Sequence, residues 1–376
     1  MAKKFMLKNY ISYIVIAIFL VVSTVLALTG NMNRSTQNLI TQISYSIILA
    51  VSLNLVVGFL GELSLGHAGF MCVGAYLGCY LANYLHTIIP SKLVVLIITM
   101  IAGGIIAGVF GFIIGLPALR LKGDYLAIVT LAFGEIVRTI FKNLMTFGGP
   151  LGLSTKKYGS TLFIVALIVV LVMLFFIQNL VKSKHGRAIT AIRDNEIAAK
   201  AMGINVTYYK LFVFVIAAFF AGIAGVIYGH YATPVLYSFF SYNYSIEILV
   251  MVVLGSMGSI NGSIIAAALI TFINFQLTTR LSGDLAALKF LIYALILITI
   301  VIVNNAPALV PIKEKFSIRR FIGIFKSKFS KNSNDPSTIK DDEAAWDKIP
   351  TKIEMDALLS LDIKQDNTYT PDKRKE

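Results

Sequence analysis

Two oppositely charged residues, Glu135 and Arg138, stand three positions apart inside the otherwise apolar stretch Tyr125–Leu144. Residues at this spacing share one face of a helix, so the two side chains can form an ion pair. An unpaired charge near the middle of a bilayer costs roughly 2.5–3.5 kcal/mol on insertion scales, and such residues usually face the interior of a helix bundle. The pair therefore predicts either a structural clamp or polar groups that line a transport path.

Few other side chains are suited to chemistry. His67 lies in the stretch LSLGHAGF and suits a packing or hydrogen-bonding role as well as a gate. The chain has four histidines and no GxxxxGK[ST] loop, and its two cysteines, Cys72 and Cys79, do not form a zinc-binding pattern. The sequence therefore predicts no catalytic residue, no metal site and no cofactor bound by this chain. If the protein works with ATP, another chain must bind the ATP.

One long polar segment, Lys182–Lys210, divides two apolar blocks of similar size. It holds six basic and two acidic residues, and a basic excess beside membrane spans is typical of a cytoplasmic loop. The pattern predicts a short helix over about 195–202, with Asp194 as N-cap and Gly203 just past the end. A solvated loop helix is the simpler interpretation. A helix this short is not stable alone, so we expect a partner to hold it.

The composition predicts a membrane protein. Hydrophobic residues make up 57% of the chain, charged residues 14%, and the mean hydropathy is +0.79. Residues 1–312 hold nineteen basic and seven acidic residues. Because the positive charge lies between apolar runs, it indicates membrane orientation and not nucleic-acid binding. The first apolar run, Tyr10–Leu28, is long enough to span, so we expect no cleaved signal peptide.

Apolar runs predict an all-α polytopic fold with both termini in the cytoplasm. The first seven spans are predicted at Tyr10–Leu28, Asn38–Leu60, Leu63–Leu85, Leu93–Leu116, Tyr125–Leu144, Thr161–Val181 and Tyr208–Tyr231. Glycines at three- and four-residue spacing form ridges on two of them, which allows close helix packing. These glycines are Gly104, Gly108, Gly111 and Gly115, and then Gly222, Gly225 and Gly229.

The number of later crossings must be odd, because seven spans leave the chain outside while the basic segment Lys313–Lys331 belongs inside. Ser245–Thr279 is interrupted by the glycine-rich stretch 255–263, and it predicts two short crossings or half-helices. With Leu285–Val303 the total is ten crossings, or eight if Ser245–Thr279 is one long broken helix. A similar break at 61–66 suggests an internal duplication.

The segment after Ile312 differs in character from the rest of the chain. Residues 313–331 are basic, and residues 332–376 hold seven basic and eleven acidic residues, with few aromatic residues. Such a composition cannot bury enough apolar surface to fold. The chain is therefore divided into a transmembrane domain, 1–312, and a largely disordered cytoplasmic tail, 313–376.

Four stretches, in order, resemble the permease subunits of branched-chain amino acid ABC transporters. Within that family, the second stretch resembles the LivM-type permease and not its LivH-type partner. The resemblance runs from about residue 40 to 305, and the acidic tail has no counterpart. The four stretches are SLNLVVGFLGELSLGHAGFMCVGAY (52–76), LRLKGDYLAIVTLAFGEIVR (119–138), GRAITAIRDNEIAAKAMGINVTYYKLFVFVIAAFFAGIAGVIYG (186–229) and LVMVVLGSMGSINGSIIAAALI (249–270).

The resemblance implies an importer subunit in a bacterial plasma membrane. Its expected partners are two ABC ATPase subunits that bind ATP and Mg²⁺, a LivH-type permease, and an extracytoplasmic amino-acid-binding protein. The loop resembles the permease EAA motif with one residue inserted after Glu196. The residues implied to couple to the ATPases are Gly186, Arg187, Arg193, Glu196, Ala198, Ala199 and Gly203. A weak substrate path is expected from Ser64, His67, Tyr125, Thr130 and Glu135.

Two other functions remain open at this point. A permease of the same superfamily for urea, ribose or nucleosides would share the architecture, although the LivM-like stretch 119–138 argues against it. A secondary transporter could use Glu135 or Glu247 for proton coupling. It would not need a capped helix in a basic cytoplasmic loop.

The charge pattern predicts that Thr233–Tyr244 lies outside the cell and the tail inside. Single cysteines at Ser238 and Ser333, in a chain lacking Cys72 and Cys79, can be exposed to an impermeant thiol reagent in intact cells. We expect labelling at position 238 and protection at position 333. The opposite pattern would overturn the topology.

Overall fold

The computed structural model describes residues 33–119, 123–156, 158–159 and 161–280, together with the single positions Thr24, Leu295 and Ile298. The predicted spans Tyr10–Leu28 and Leu285–Val303 and the predicted disordered tail, 313–376, lie outside the described residues. The division at residue 312 therefore stays a prediction.

Helices form nearly all of the secondary structure in these ranges, and an isolated antiparallel bridge joins Leu153 to Val235. This agrees with the predicted all-α class. We number the described helices in chain order. They are α1 (Arg34–Asn54), α2 (His67–Ile88), α3 (Lys92–Ala118), α4 (Asp124–Asn143), α5 (Leu162–Lys182), α6 (Lys184–Asp194), α7 (Glu196–Ala201), α8 (Val206–Tyr231), α9 (Tyr242–Leu254) and α10 (Ile260–Arg280).

Six helical segments of the described chain are long and apolar enough to cross a membrane, which makes this a multi-pass membrane protein. They are α1 with its extension to Leu60, α2, α3, α5, α8 and α10. The predicted span Tyr125–Leu144 corresponds to α4, which is 20 residues long but carries Asp124, Glu135, Arg138 and Lys142. Because it carries these four charged residues, α4 is not counted among the six. The total of ten crossings stays a prediction.

Helix α8 packs between α2 and α3, and glycines on all three helices allow the close approach. A Cβ added at Gly222 would lie 2.5 Å from the Cβ of Ala107 in α3. On the other side of α8, a Cβ at Gly225 would lie 2.8 Å from the backbone nitrogen of Ala75 in α2. The glycines of the α3 ridge all face α8. The ridges predicted from the sequence therefore form one three-helix core.

Helices α9 and α10 form an antiparallel pair. Glu247 of α9 accepts a hydrogen bond from Asn274 of α10, and Gly255 at the end of α9 touches Gly262 near the start of α10. The two helices are separated by residues 255–259, with Ser256 at φ 70° and Gly258 at φ 81°. The interruption predicted within Ser245–Thr279 is therefore present.

Because backbone atoms surround Gly225, we expect Gly225→Ala to destabilise the protein by about 1–3 kcal/mol, as overpacking usually does. Gly134→Ala is the matched control, since an added Cβ there meets only ordinary contacts at 3.7 Å and beyond. The midpoint of thermal unfolding in detergent measures both. Equal midpoints for the two variants would show that the glycine contact does not hold the core together.

Candidate functional site

The polar loop between α5 and α8 folds into two short helices. Ser183 caps α6 by accepting hydrogen bonds from the backbone nitrogens of His185 and Gly186. Asn195 caps α7, with its Oδ1 3.0 Å from the backbone nitrogens of Ile197 and Ala198. The predicted N-cap, Asp194, was wrong by one residue. Asp194 ends α6 and pairs with Arg193 instead.

The end of α7 agrees with the prediction. Gly203 adopts φ 80°, a conformation that favours glycine, and its amide donates to the carbonyl of Lys200. The amide of Ile204 donates to the carbonyl of Ala199. The chain thus turns sharply out of α7 and into α8.

One face of the loop is anchored and the other is exposed. Ile189, Ile192 and Ala199 are buried against the rest of the protein. Ile197 and Met202 are 80% and 82% exposed. Exposed apolar side chains beside a short, well-capped helix are suited to packing against another protein.

The other residues that the resemblance implied for coupling fall into two groups. Arg187 and Ala198 are exposed on the loop. Gly186 is buried where α5 turns into α6, and a Cβ there would collide with the carbonyl oxygens of Val181 and Leu180. Gly186 therefore sets the path of the chain, while Arg187 and Ala198 are accessible to a partner.

A buried ion cluster joins the loop to the membrane helices. Lys210, near the start of α8, has a side chain only 6% exposed, and its ammonium contacts the carboxylates of Glu62 and Glu196. The Glu196 contact measures 3.1 Å from Nζ to Oε2. Lys200 approaches the other oxygen of Glu196 at 2.9 Å. The carboxylates compensate the charge of an ammonium that would be costly to bury without partners.

The cluster also sets how the loop responds to acid. The hydrogen bond from Lys200, together with that from Lys210, holds the pKa of Glu196 below its ordinary value. A carboxyl with a lowered pKa stabilises the folded state above its unfolded pKa, and this contribution is lost as the pH falls through the lowered value. Glu196 therefore stays ionised at neutral pH.

Arg193 extends the same connection to the first break in the helices. Its Nη1 donates to the carbonyl oxygen of Gly58 at 3.0 Å, inside the π-helical turn Leu55–Leu60 that ends α1. A Cβ at Gly61, which has φ 82°, would lie 2.7 Å from Cγ of Arg193. Gly61 thus leaves room for the arginine side chain to lie along the backbone of the break.

The second break contacts the end of α1 through Asn54, which is fully buried. Its Oδ1 accepts from the amide of Gly258 at 2.9 Å, and its Nδ2 donates to the carbonyl of Ser259 at 3.1 Å. The amide group therefore satisfies backbone groups that the gap between α9 and α10 would otherwise leave unpaired. The end of α1 with its π-helical turn and the break at 255–259, far apart in sequence, are therefore neighbours.

Three of the residues predicted for a substrate path lie together at the first break. Thr130 of α4 accepts a hydrogen bond from the amide of Leu65 at 3.0 Å. His67 Nε2 lies 3.0 Å from Ser52 Oγ, and Ser52 donates its own proton to the carbonyl of Leu49. Ser64 Oγ and His67 Nδ1 are buried without a hydrogen-bond partner among the described residues. A small polar cluster thus lies inside the bundle.

The other two predicted path residues lie elsewhere. Tyr125 is 69% exposed at the start of α4. Glu135 pairs with Arg138 at 2.6 Å, as the spacing predicted, and its other oxygen accepts from the amide of Tyr242 at 3.0 Å. Glu135 therefore also supports the first turn of α9, because carboxylates near helix N-termini are favourable.

A cavity that the sequence did not predict lies at the end of the bundle far from the loop. It lies between α1, the end of α8, α9 and α10, and it has a volume of about 300 Å³. Its polar and aromatic lining includes Tyr45, Tyr231, Tyr244, Glu247, Thr271 and Asn274. Glu247 was considered only for proton coupling. The signal in the sequence was Glu247 within one apolar run and Asn274 within the next.

The Glu135–Arg138 pair predicts a specific pattern in a double-mutant cycle. Glu135→Gln and Arg138→Gln each leave one uncompensated charge, so each should lower the amount of folded protein. The double variant should recover part of that loss, which size-exclusion profiles in detergent can quantify. A double variant as poor as the sum of the single variants would show that the pair does not act as a unit.

Comparison with known proteins identifies related chains. The family model described as "branched-chain amino acid transport system / permease component" matches residues 35–301. The high-affinity branched-chain amino acid transport system permease protein LivM of Escherichia coli K12 is 36% identical over 293 residues, which cover 67% of this chain and 66% of that protein. The protein of the same name from Salmonella typhimurium is 35% identical over 276 residues, with 63% and 62% covered.

A third relative is archaeal. The probable branched-chain amino acid transport permease protein LivM of Methanocaldococcus jannaschii is 31% identical over 253 residues, which cover 57% of this chain and 73% of that protein. The chain matches less than two thirds of the length of the two bacterial relatives. No solved structure matches it significantly. Because the family model covers most of its helices, the chain belongs to the family of branched-chain amino acid transport permease components.

Proposed function

We propose that this chain is the membrane-spanning permease subunit of an ATP-driven importer. It translocates the branched-chain amino acids leucine, isoleucine and valine, which an extracytoplasmic binding protein delivers. The chain itself is not an enzyme, and partner ATPase subunits bind ATP and Mg²⁺. It resides in a bacterial plasma membrane with both termini in the cytoplasm.

The observation that carries this proposal is the connection between α7 and the two helix breaks. The exposed side chains Ile197 and Met202 offer a surface to an ATPase subunit. Beside α7, Arg193 of α6 donates to Gly58. Lys210 of α8 contacts both Glu196 of α7 and Glu62 of the first break. A helix seated in a groove of the ATPase is a common mode of recognition. Movement of the ATPase would thus reach the breaks through two charged side chains.

Membership of the family supports the remaining partners. The relatives' names assign them to branched-chain amino acid transport, which favours this substrate class over urea, ribose or nucleosides. A second permease of the LivH type completes the membrane part, and two ATPases bind the loops.

The substrate path inside the bundle includes Ser64, His67 and Thr130. These side chains lie beside the first break, and their polar atoms are buried. Glu135 acts at the edge of this path by holding the start of α9, and Tyr125 at the start of α4 is exposed to an approaching solute. Proton coupling through Glu135 is not required, since its carboxylate is occupied by Arg138 and the amide of Tyr242.

Leucine uptake into proteoliposomes tests the proposal. The chain is reconstituted with its proposed partners, a LivH-type permease, the ATPases and the binding protein. We expect uptake with internal ATP and no proton gradient. Glu196→Arg places a cation beside Lys210, so it should lower uptake per folded complex at least severalfold while the protein still inserts.

Thr207→Ala is the matched control, because Thr207 is exposed at the start of α8 and outside the ion cluster. It should leave uptake unchanged. Full uptake in the Glu196→Arg variant would remove the coupling role of the loop. Abolition of uptake by an uncoupler at constant ATP would argue for a secondary transporter.

A further inference from the structure

A crevice with apolar walls runs between α3, α5 and α8. It has a volume of about 480 Å³, and every described residue that lines it is aliphatic, aromatic or methionine. Leu93, Ile97 and Ile101 of α3 form one wall, residues 165–176 of α5 contribute the other, and α8 forms the floor. Both walls carry exposed side chains, including those of Ile97 and Val172. The crevice is therefore open to the hydrocarbon of the membrane.

The crevice begins at the end of the bundle that the charge pattern predicts to lie outside the cell. Its lining starts at Leu93 in the first turn of α3 and at Val165 in the first turn of α5. On α5 it extends over residues 165–176, which is roughly 16 Å at 1.5 Å per residue. The hydrocarbon core of a bilayer is about 30 Å thick, so the crevice follows one leaflet. Its depth and lining suit an extended acyl chain.

Basic residues collect at the same end of the bundle. Residues 86–92 and 144–161, which the predicted topology places outside, contain three lysines and no acidic residue. Lysines are uncommon in short extracytoplasmic loops, so the orientation of the chain does not account for them. Lys92 also lies in the first turn of α3, where the helix dipole is positive and no acidic residue is present. A cation at this position is unfavourable unless an anion lies nearby.

A second lysine, Lys156, lies in the same region as Lys92. Thr155 donates a hydrogen bond to the carbonyl of Gly229 near the end of α8 at 2.8 Å, which fixes the backbone beside Lys156. The charges of Lys92 and Lys156 both act on the ring of His86 near the end of α2. Both lysines are exposed, and neither forms an ion pair with a described residue. An anion at the mouth of the crevice would compensate both charges.

We propose that the crevice binds an acyl chain of an anionic phospholipid, with the lipid phosphate at Lys92 and Lys156. Burial of the acyl chain contributes to binding with every methylene, so a free phosphate ion would not replace the lipid. The two lysines favour an anionic lipid over a zwitterionic one, because the headgroup of the latter carries its own cation. The bound chain would fill the space between α3 and α5.

Lipid binding by the purified full-length chain, measured by native mass spectrometry, tests the proposal. The probes are phosphatidylglycerol, phosphatidylcholine with the same acyl chains, and glycerol 3-phosphate. We expect phosphatidylglycerol to bind at lower concentration than phosphatidylcholine, and glycerol 3-phosphate not to displace it. Lys92→Gln and Lys156→Gln should each raise the phosphatidylglycerol concentration for half-occupancy about fivefold. Lys142→Gln is the control, since it removes the same charge in the last turn of α4, outside the crevice.

A second pair of variants tests the apolar part of the site. Val172→Trp places an indole in the crevice, so it should lower the binding of phosphatidylglycerol. Val109→Trp is the matched control, because Val109 is exposed on α3 and does not line the crevice. It should leave lipid binding unchanged. The midpoint of thermal unfolding in detergent shows whether each variant is folded.

Benzoylphenylalanine in place of Val172 identifies the occupant of the crevice in cell membranes. Photocross-linking to phospholipid supports the proposal, whereas cross-linking to a second permease or to the predicted span Tyr10–Leu28 would overturn it. Equal binding of phosphatidylglycerol and phosphatidylcholine, or unchanged binding in both lysine variants, would overturn it as well. So would an effect of Val109→Trp as large as that of Val172→Trp in folded protein.

Discussion

A single buried ammonium, that of Lys210, determines how the polar loop and the membrane helices fit together. Because the side chain is almost completely buried, its charge must be compensated by the protein. The two carboxylates that do so come from different elements, Glu62 from the first break and Glu196 from α7. Removal of either would leave the ammonium with one carboxylate in place of two. The need to compensate the charge of Lys210 therefore holds α8, α7 and the first break together.

The rest of the architecture separates a rigid part from parts that can rearrange. Glycine contacts hold α2, α3 and α8 at backbone distance, and close-packed interfaces of this kind resist gradual deformation. The breaks lack regular helical hydrogen bonds and depend on side chains, namely Arg193 at the first and Asn54 at the second. A displacement of the loop would therefore be taken up at the breaks. Such a chain of hydrogen bonds is a physical route by which two distant sites can be coupled.

Local features of the site were predictable from the sequence, and long-range ones were not. The Glu135–Arg138 pair and the glycine after α7 follow from spacings of a few residues. The cap of α7 was misplaced because Asp194 and Asn195 are adjacent and both suit the position. Helix α6 was missed because its charge pattern resembles that of a solvated loop. The contacts of Lys210 with Glu62 and of Asn54 with Gly258 join residues 148 and 204 positions apart, so no local pattern reveals them. The same holds for the cavity, which four helices build together.

The central claim is that the loop, the second break and the start of α8, which Lys210 binds to α7, move together relative to the middle of the glycine-packed core. Spin labels on cysteines at Lys184, Met257 and Ile105, placed pairwise in the assembled transporter, report the relevant distances with and without ATP. All three positions are exposed, and Ile105 belongs to α3. The account predicts that the distance between positions 184 and 257 is preserved while that between 257 and 105 changes. A constant 257–105 distance in both nucleotide states would contradict it.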